Sequence, residues 1–115
     1  MRPSRGEVWY AELSPTRDHE QAGFRPVLVV SADELNRAPG ELAVIVPLTT
    51  SFRYAGFSVS IRPPEGGLRA PSYALCDQIR SVSSRRLSRR IGRVSTLVLE
   101  EIVTTLSLLL AIPPA

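Results

Sequence analysis

One stretch alone, between Ser95 and Pro113, is long and periodic enough to form a helix of several turns. Everything before it is cut into short apolar runs by proline, glycine and serine. That pattern argues against the alternating strand–helix units of a parallel sheet. It predicts a mainly β fold, a small barrel or strongly bent sheet with short helices and a C-terminal α-helix. The runs at 7–13 (EVWYAEL), 26–30 (PVLVV), 42–48 (LAVIVPL), 57–61 (FSVSI) and 73–79 (YALCDQI) read as strands, with a last short strand at 91–94. PVLVV is apolar and mostly β-branched, which predicts cover on both faces. Pro26 has no N–H to donate and is expected at that strand's first position. Residues 14–24, 51–56 and 63–67 read as loops, 32–37 as a helical turn, and the Ser/Arg-rich 81–90 as a short helix. Ser95 is the expected N-cap of the terminal helix and Pro113-Pro114 its stop. Leu99, Ile102, Val103, Leu106, Leu109 and Leu110 share one helical face. Leu108 falls outside it, which suits either a covering partner subunit or a lone exposed leucine.

The 115 residues make a single domain, 1–115, without repeat or linker. Hydrophobic content of 43% against 22% charged describes a globular chain rather than a disordered one. The lone Cys76 excludes an internal disulfide and fits a reducing cytoplasm. The first ten residues show no secretory leader, and Glu100 and Glu101 interrupt the C-terminal apolar region, so no membrane span is expected. The net charge is +3 and all fourteen basic residues are arginine. A GC-rich coding bias explains that composition; phosphate recognition by guanidinium forks is the functional alternative, to be decided position by position.

One histidine and one cysteine make no transition-metal site of the usual kind. The phosphate-loop, dinucleotide and serine-elbow motifs are missing, so no cofactor is expected. What remains is a polar set at strand ends and loop edges: His19, Glu20, Gln21, Arg25, Thr49, Thr50, Asp77, Gln78 and Arg80. RNA cleavage suits so sparse a set, because RNA carries its own nucleophile, the 2′-hydroxyl. The protein then has to align that oxygen, move a proton and stabilise charge on the phosphoryl oxygens. Arg25 precedes a proline, which confines its backbone to extended geometry and holds its side chain on a fixed platform. Six arginines between 80 and 93, with no acid from Asp77 to Glu100, suit a polyanion groove. Tyr10, Phe24, Phe52 and Tyr54 are candidates for base stacking, with a core role as the alternative.

RGEVWYAELSPT (5–16), HEQAGFRPVLVVS (19–31), VPLTT (46–50), AGFSVSI (55–61) and CDQIRSV (76–82), in this order, resemble the MazF/PemK family of bacterial type II toxins. The resemblance implies an SH3-like barrel acting as a homodimer in the cytoplasm. It implies sequence-specific, metal-independent cleavage of single-stranded messenger RNA to a 2′,3′-cyclic phosphate and a 5′-hydroxyl. A cognate MazE-like antitoxin with an acidic, flexible segment would occupy the RNA groove. Arg25 matches the family's RP arginine and Thr49 its VP-x-T threonine. His19 and Asp77 match residues of the PemK-like branch, but that branch has an arginine two residues before the aspartate where this chain has Leu75. Arg80, three residues beyond Asp77, would point to the other side of an ideal strand. The expected catalytic residues are therefore Arg25 and Thr49, with Asp77 or His19 as proton acceptor. The expected RNA contacts are Glu20, Gln21, Thr50, Arg53, Gln78, Arg80, Arg85 and Arg86.

Two rival readings use the same barrel. One is a non-catalytic toxin that binds a protein such as DNA gyrase. The other is an RNA-binding module without turnover, in which Arg25 and Thr49 only grip phosphate. The requirement that separates the ribonuclease from both is that Arg25 and Thr49 meet at one accessible cleft.

Overall fold

The computed structural model describes residues 2–13, 23–52 and 57–113. There the apolar runs become β1 (Glu7–Glu12), β2 (Phe24–Val29), β3 (Leu42–Thr49), β4 (Ser58–Ile61), β5 (Ser72–Leu75), β6 (Arg80–Ser83) and β7 (Leu87–Arg93). A one-turn helix α1 (Asp33–Asn36) follows β2, and α2 (Thr96–Leu109) closes the chain. All pairings are antiparallel, in the order β4-β5-β3-β2-β1-β7, with β6 also on β3.

β3 organises this arrangement. Its first half pairs with β6, from Leu42↔Ser83 to Ile45↔Arg80, and its end pairs with β5, at Leu48↔Ala74 and Thr49↔Tyr73. Its other edge carries β2. A strand shared by two sheets makes a corner, and the corner wraps the sheets around a core. Alternation along the strands then sorts the side chains. Val8, Leu28, Val46 and Leu48 face α2 and meet Val59, Ile61, Ile102 and Leu106. Their neighbours Trp9, Ala11, Val27, Val29, Ala43 and Ile45 face the other way and pack with Leu13, Val82 and Leu87. Val27, Leu28 and Val29 are all fully buried, as a strand covered on both faces must be.

Four local expectations change. Residues 81–90 are not helical; they supply most of β6, a 3-10 turn at Ser84–Arg86 and the start of β7. Pairing with β3 and β1 overrides local preference, and two bulges in β7, at Ser88 and Ile91, let its irregular sequence keep step with β1 as an edge strand. The run at 73–79 is not one strand. β5 stops at Leu75, and Cys76–Gln78 form a 3-10 turn that moves the chain from the end of β3 to its middle. Pro26 is the third residue of β2, not its first; the ladder with β3 stops at Val27, so no N–H is required of Pro26 on that side. The terminal helix ends before Pro113. Ser95 caps its start by accepting from the Val98 amide at 3.3 Å, but Ala111 turns left-handed (φ 57°) and closes its end. The Ile112 amide reaches Ser107 O at 2.8 Å and the Ala111 amide Leu108 O at 3.2 Å, a Schellman closure.

The 3-10 turn Glu65–Gly67 crosses β7 so closely that only glycine fits. A Cβ on Gly67 (φ 73°) would lie 2.5 Å from the Ile91 carbonyl oxygen, and one on Gly92 would lie 2.6 Å from the Gly66 carbonyl.

Candidate active site

Arg25 sits near the start of β2, opposite Ala11 of β1. Against β3, the pairs are Val29↔Ile45, Leu28↔Val46 and Val27↔Pro47, and there the ladder ends. By strand alternation Arg25 shares the parity of Val27 and Thr49 that of Pro47, so both belong to the same face just beyond the last pair of the ladder. Beyond Val27–Pro47, β3 continues as the partner of β5. Arg25 and Thr49 thus flank the place where β2 and β3 part.

The two differ in exposure. Arg25 is half-buried at the edge, whereas Thr49 is only 4% exposed. Thr49 Oγ1 accepts a hydrogen bond from the Ser51 amide at 3.1 Å. A hydroxyl that accepts one bond keeps its own hydrogen to donate, so Thr49 can still serve an anion. The β2–β3 ladder ends two residues short of both side chains; Arg25 is partly accessible there, and Thr49 is not.

Asp77 and Gln78 lie in the Cys76–Gln78 turn, on the far side of β3 from β2 and level with its middle. Asp77 is exposed and Gln78 half-buried. Because a turn separates Asp77 from Arg80, the strand alternation expected to set them on opposite sides does not apply. Arg80 pairs with Ile45 on the face that carries Arg25 and Thr49, four residues or about 13 Å along β3 from Thr49. Leu75, where the PemK-like branch has arginine, is 1% exposed at the end of β5 and packs as core. The Cys76 thiol is buried; burial, with Glu101's charge adding, pushes its pKa up to about 11. It is no nucleophile at neutral pH.

Thr50, next along β3, is exposed and turns to the other face. There a groove of about 530 Å³ runs past Tyr10, Pro26, Thr50, Arg69 and Arg89. Tyr10 pairs with both Pro26 and Arg89, and the Arg89 guanidinium lies 5.0 Å over its ring. Of the six arginines clustered between 80 and 93, Arg89 and Arg90 line this groove, and Arg69 joins them from outside that cluster. Arg85 pairs with Glu41 at 3.3 Å, and Arg86 donates to Glu12 O at 3.4 Å; neither lines the groove. Arg69 had no signal in the sequence beyond its charge. Of the stacking candidates, Phe24 and Phe52 are 66% and 60% exposed rather than core, and Phe52 meets Tyr73 edge-on at 5.2 Å. His19, Glu20, Gln21, Arg53 and Tyr54 lie outside the described residues. Among the described residues no group of three or more His, Cys, Asp or Glu could hold a metal ion.

Glu7 was assigned no role from the sequence, yet it anchors this region. It is buried, accepts from Trp9 Nε1 at 3.1 Å and the Ser4 amide at 2.7 Å, and pairs with Arg90 at 2.7 Å. Burial pushes its carboxyl up, but the bonds from Ser4, Trp9 and Arg90 outweigh it and hold the pKa below the ordinary 4.5. A lowered carboxyl pKa adds stability in full above pH 4.5, and that stability drains away as pH falls through the folded-state value. Glu7→Gln is expected to cost about 1–2 kcal/mol at pH 7 and to flatten the acid limb of the stability curve. Chemical denaturation of both proteins from pH 7 to pH 3 measures this; parallel curves would remove Glu7 from that role.

The PemK-like, MazF-like toxin model of type II toxin–antitoxin systems matches residues 4–110. This chain belongs to that family. Escherichia coli endoribonuclease PemK is 40% identical over 111 residues, covering 92% of this chain and 80% of PemK. The crystal structure of MazF from Deinococcus radiodurans superposes with a TM-score of 0.85 at 28% identity, covering 97% of this chain and 99% of that one. An endoribonuclease in complex with its cognate antitoxin, from a mycobacterial species, superposes at 0.80 with 28% identity, covering 98% of this chain and 99% of the other. The barrel-like core and terminal helix are thus those of solved MazF toxins.

Proposed function

We propose that this PemK/MazF-family toxin cuts single-stranded messenger RNA without a metal, by attack of the 2′-hydroxyl on the adjacent phosphate. That it is an endoribonuclease follows from its family and from 40% identity to a named endoribonuclease over most of its length. The observation that supports the chemistry is that Arg25 and Thr49 share one side-chain parity at the neighbouring ends of β2 and β3, just past the last pair Val27–Pro47. Guanidinium stays protonated, so Arg25 acts as a donor to the phosphoryl oxygens and the leaving 5′-oxygen, not as a base. Thr49, whose oxygen accepts from the Ser51 amide, keeps a hydrogen to donate to a phosphoryl oxygen. Proton acceptance falls to Asp77, exposed beside β3, or to His19. Thr50, Gln78 and Arg80 extend the contact surface, and Glu20, Gln21 and Arg53 belong to the same reading.

A net charge of +3 carried by arginine suits two anionic partners, the RNA and the acidic segment of a cognate antitoxin. Leu97 and Leu108 are 78% and 73% exposed, which supports a homodimer that covers part of this apolar surface. Messenger RNA as substrate requires the cytoplasm.

Mixed-sequence RNA incubated with the protein in excess EDTA tests the proposal. Cleavage to fragments ending in 2′,3′-cyclic phosphate is the expected result. Intact RNA that nevertheless binds would favour a module without turnover, and RNA neither bound nor cut would favour a protein-directed toxin. Thr49→Val keeps the shape and removes the hydroxyl. It is expected to slow cleavage by about a hundredfold and to cost about 1 kcal/mol through the lost Ser51 bond. An unchanged rate takes Thr49 out of the mechanism.

A further inference from the structure

The Tyr10–Arg89 groove lies on the sheet face opposite the Arg25–Thr49 pair, and nothing in the cleavage chemistry uses it. We propose that it is a second binding site for the same RNA, holding a nucleotide that flanks the cleavage site; the proposal rests on the ribonuclease reading above.

Position is the first reason. On β2, Arg25 belongs to one face and Pro26 lines the groove; β3 ends at Thr49, on that same first face, and Thr50 just beyond it lines the groove. The groove residues Pro26 and Thr50 directly follow Arg25 and Thr49 in the chain, so the groove and the cleavage face share the same rim of the sheet, one on each side of it. A single strand passing over this rim reaches both.

Charge is the second reason. Arg69 and Arg89 are exposed on the groove wall, and among the described residues no carboxylate pairs with either. None of the groove's lining residues is acidic. The contrast with other cations is informative: of the groove's three arginines Arg90 is held by Glu7, and away from it Arg85 is held by Glu41 and Arg37 by Asp33. Two unpaired guanidiniums kept together cost electrostatic energy that a polyanion would recover.

Shape and chemistry supply the third reason. About 530 Å³ lies within the range of small-ligand sites. The Tyr10 ring with Arg89 over it offers an aromatic and a planar cation side by side, a pair on which a base stacks while its phosphate meets a guanidinium. An acidic peptide would use the charge but not the ring, which is why RNA is the better occupant.

Binding of fluorescein-labelled, 2′-O-methylated mixed-sequence RNA of 5 and 15 nucleotides separates this site from the chemistry, because the blocked 2′-oxygen prevents turnover. Arg69→Ala/Arg89→Ala is expected to weaken binding of the 15-mer at least about tenfold and to lower its log–log salt slope by about 1.4, one lost phosphate contact per arginine. The 5-mer should lose much less, so the wild-type preference for the longer RNA collapses. Arg69→Lys/Arg89→Lys should restore most of the salt slope but not all of the affinity, since lysine keeps the charge and loses the stacking plane. Thermal melts of each variant verify folding. Wild-type affinity and slope in the alanine variant would overturn the proposal. So would loss of binding to a 15-residue polyglutamate peptide with RNA binding intact, which would make the groove a peptide site. Cleavage of unmodified RNA by the wild type, run alongside, reports on the ribonuclease reading separately.

Discussion

Arg25→Ala is expected to lower the rate of RNA cleavage by about a thousandfold, the largest effect of any single substitution in this chain. The physical basis is differential binding. As the 2′-oxygen attacks, negative charge grows on the phosphoryl oxygens, and a guanidinium already in place stabilises that charge without reorganising. Pro26 confines the backbone of Arg25, and β1 pairs with it on one side at Ala11, so the side chain starts from a defined position. Because Arg25 is half-buried at a strand edge rather than in the core, its loss should cost no more than about 1 kcal/mol of stability. Arg25→Lys divides charge from geometry. A point charge without the planar fork should recover only part of the rate, and full recovery would mean that charge alone suffices. Single-turnover cleavage of one defined RNA by the three proteins, with melts alongside, measures all of this. An alanine variant that folds and cuts at the wild-type rate ends the proposed mechanism.

Gly67→Ala should destabilise the fold by about 3 kcal/mol or more, enough to threaten folding of a chain this size. Two costs add. The backbone at Gly67 is left-handed, at φ 73°, and the new Cβ would lie 2.5 Å from a backbone oxygen of Ile91, which has no rotamer by which to retreat. Gly92→Ala tests the same junction from β7, where the obstacle is again backbone, at 2.6 Å from Gly66. Gly40→Ala is the control: nothing lies within 4 Å of its added carbon, and a change within about 0.5 kcal/mol is expected. Urea denaturation of the three variants gives the comparison. If Gly67→Ala melts like Gly40→Ala, the turn and β7 do not meet as described. Because Gly67 also lines the groove, a partly folded variant should lose RNA affinity as well.

Arg25 and Thr49 show how far the sequence reached. Proline after Arg25 and a strand end at Thr49 are local features, so both residues could be named before any contact was known. Where they lie relative to one another depends on how β2 and β3 align, which no short window encodes. Leu108 was placed off the buried helical face by periodicity alone, and it is exposed. By contrast, 81–90 failed as a helix because its pairing partners, β3 and β1, lie about forty and eighty residues earlier in the chain. Arg89 was one of six clustered arginines and Arg69 one charge among fourteen until folding brought them to one groove, and Glu7 was an unremarked acid in a strand.

Alternation, prolines, caps and motif spacing, all properties of neighbouring residues, determined from the sequence alone that this chain is mainly β with one terminal helix and resembles the MazF/PemK family. Which cations lack a carboxylate partner among the described residues, and which acid holds Arg90, were decided only by tertiary structure. Those depend on contacts between strands far apart in the chain, whose alignment is settled by burying both faces of β2 at once.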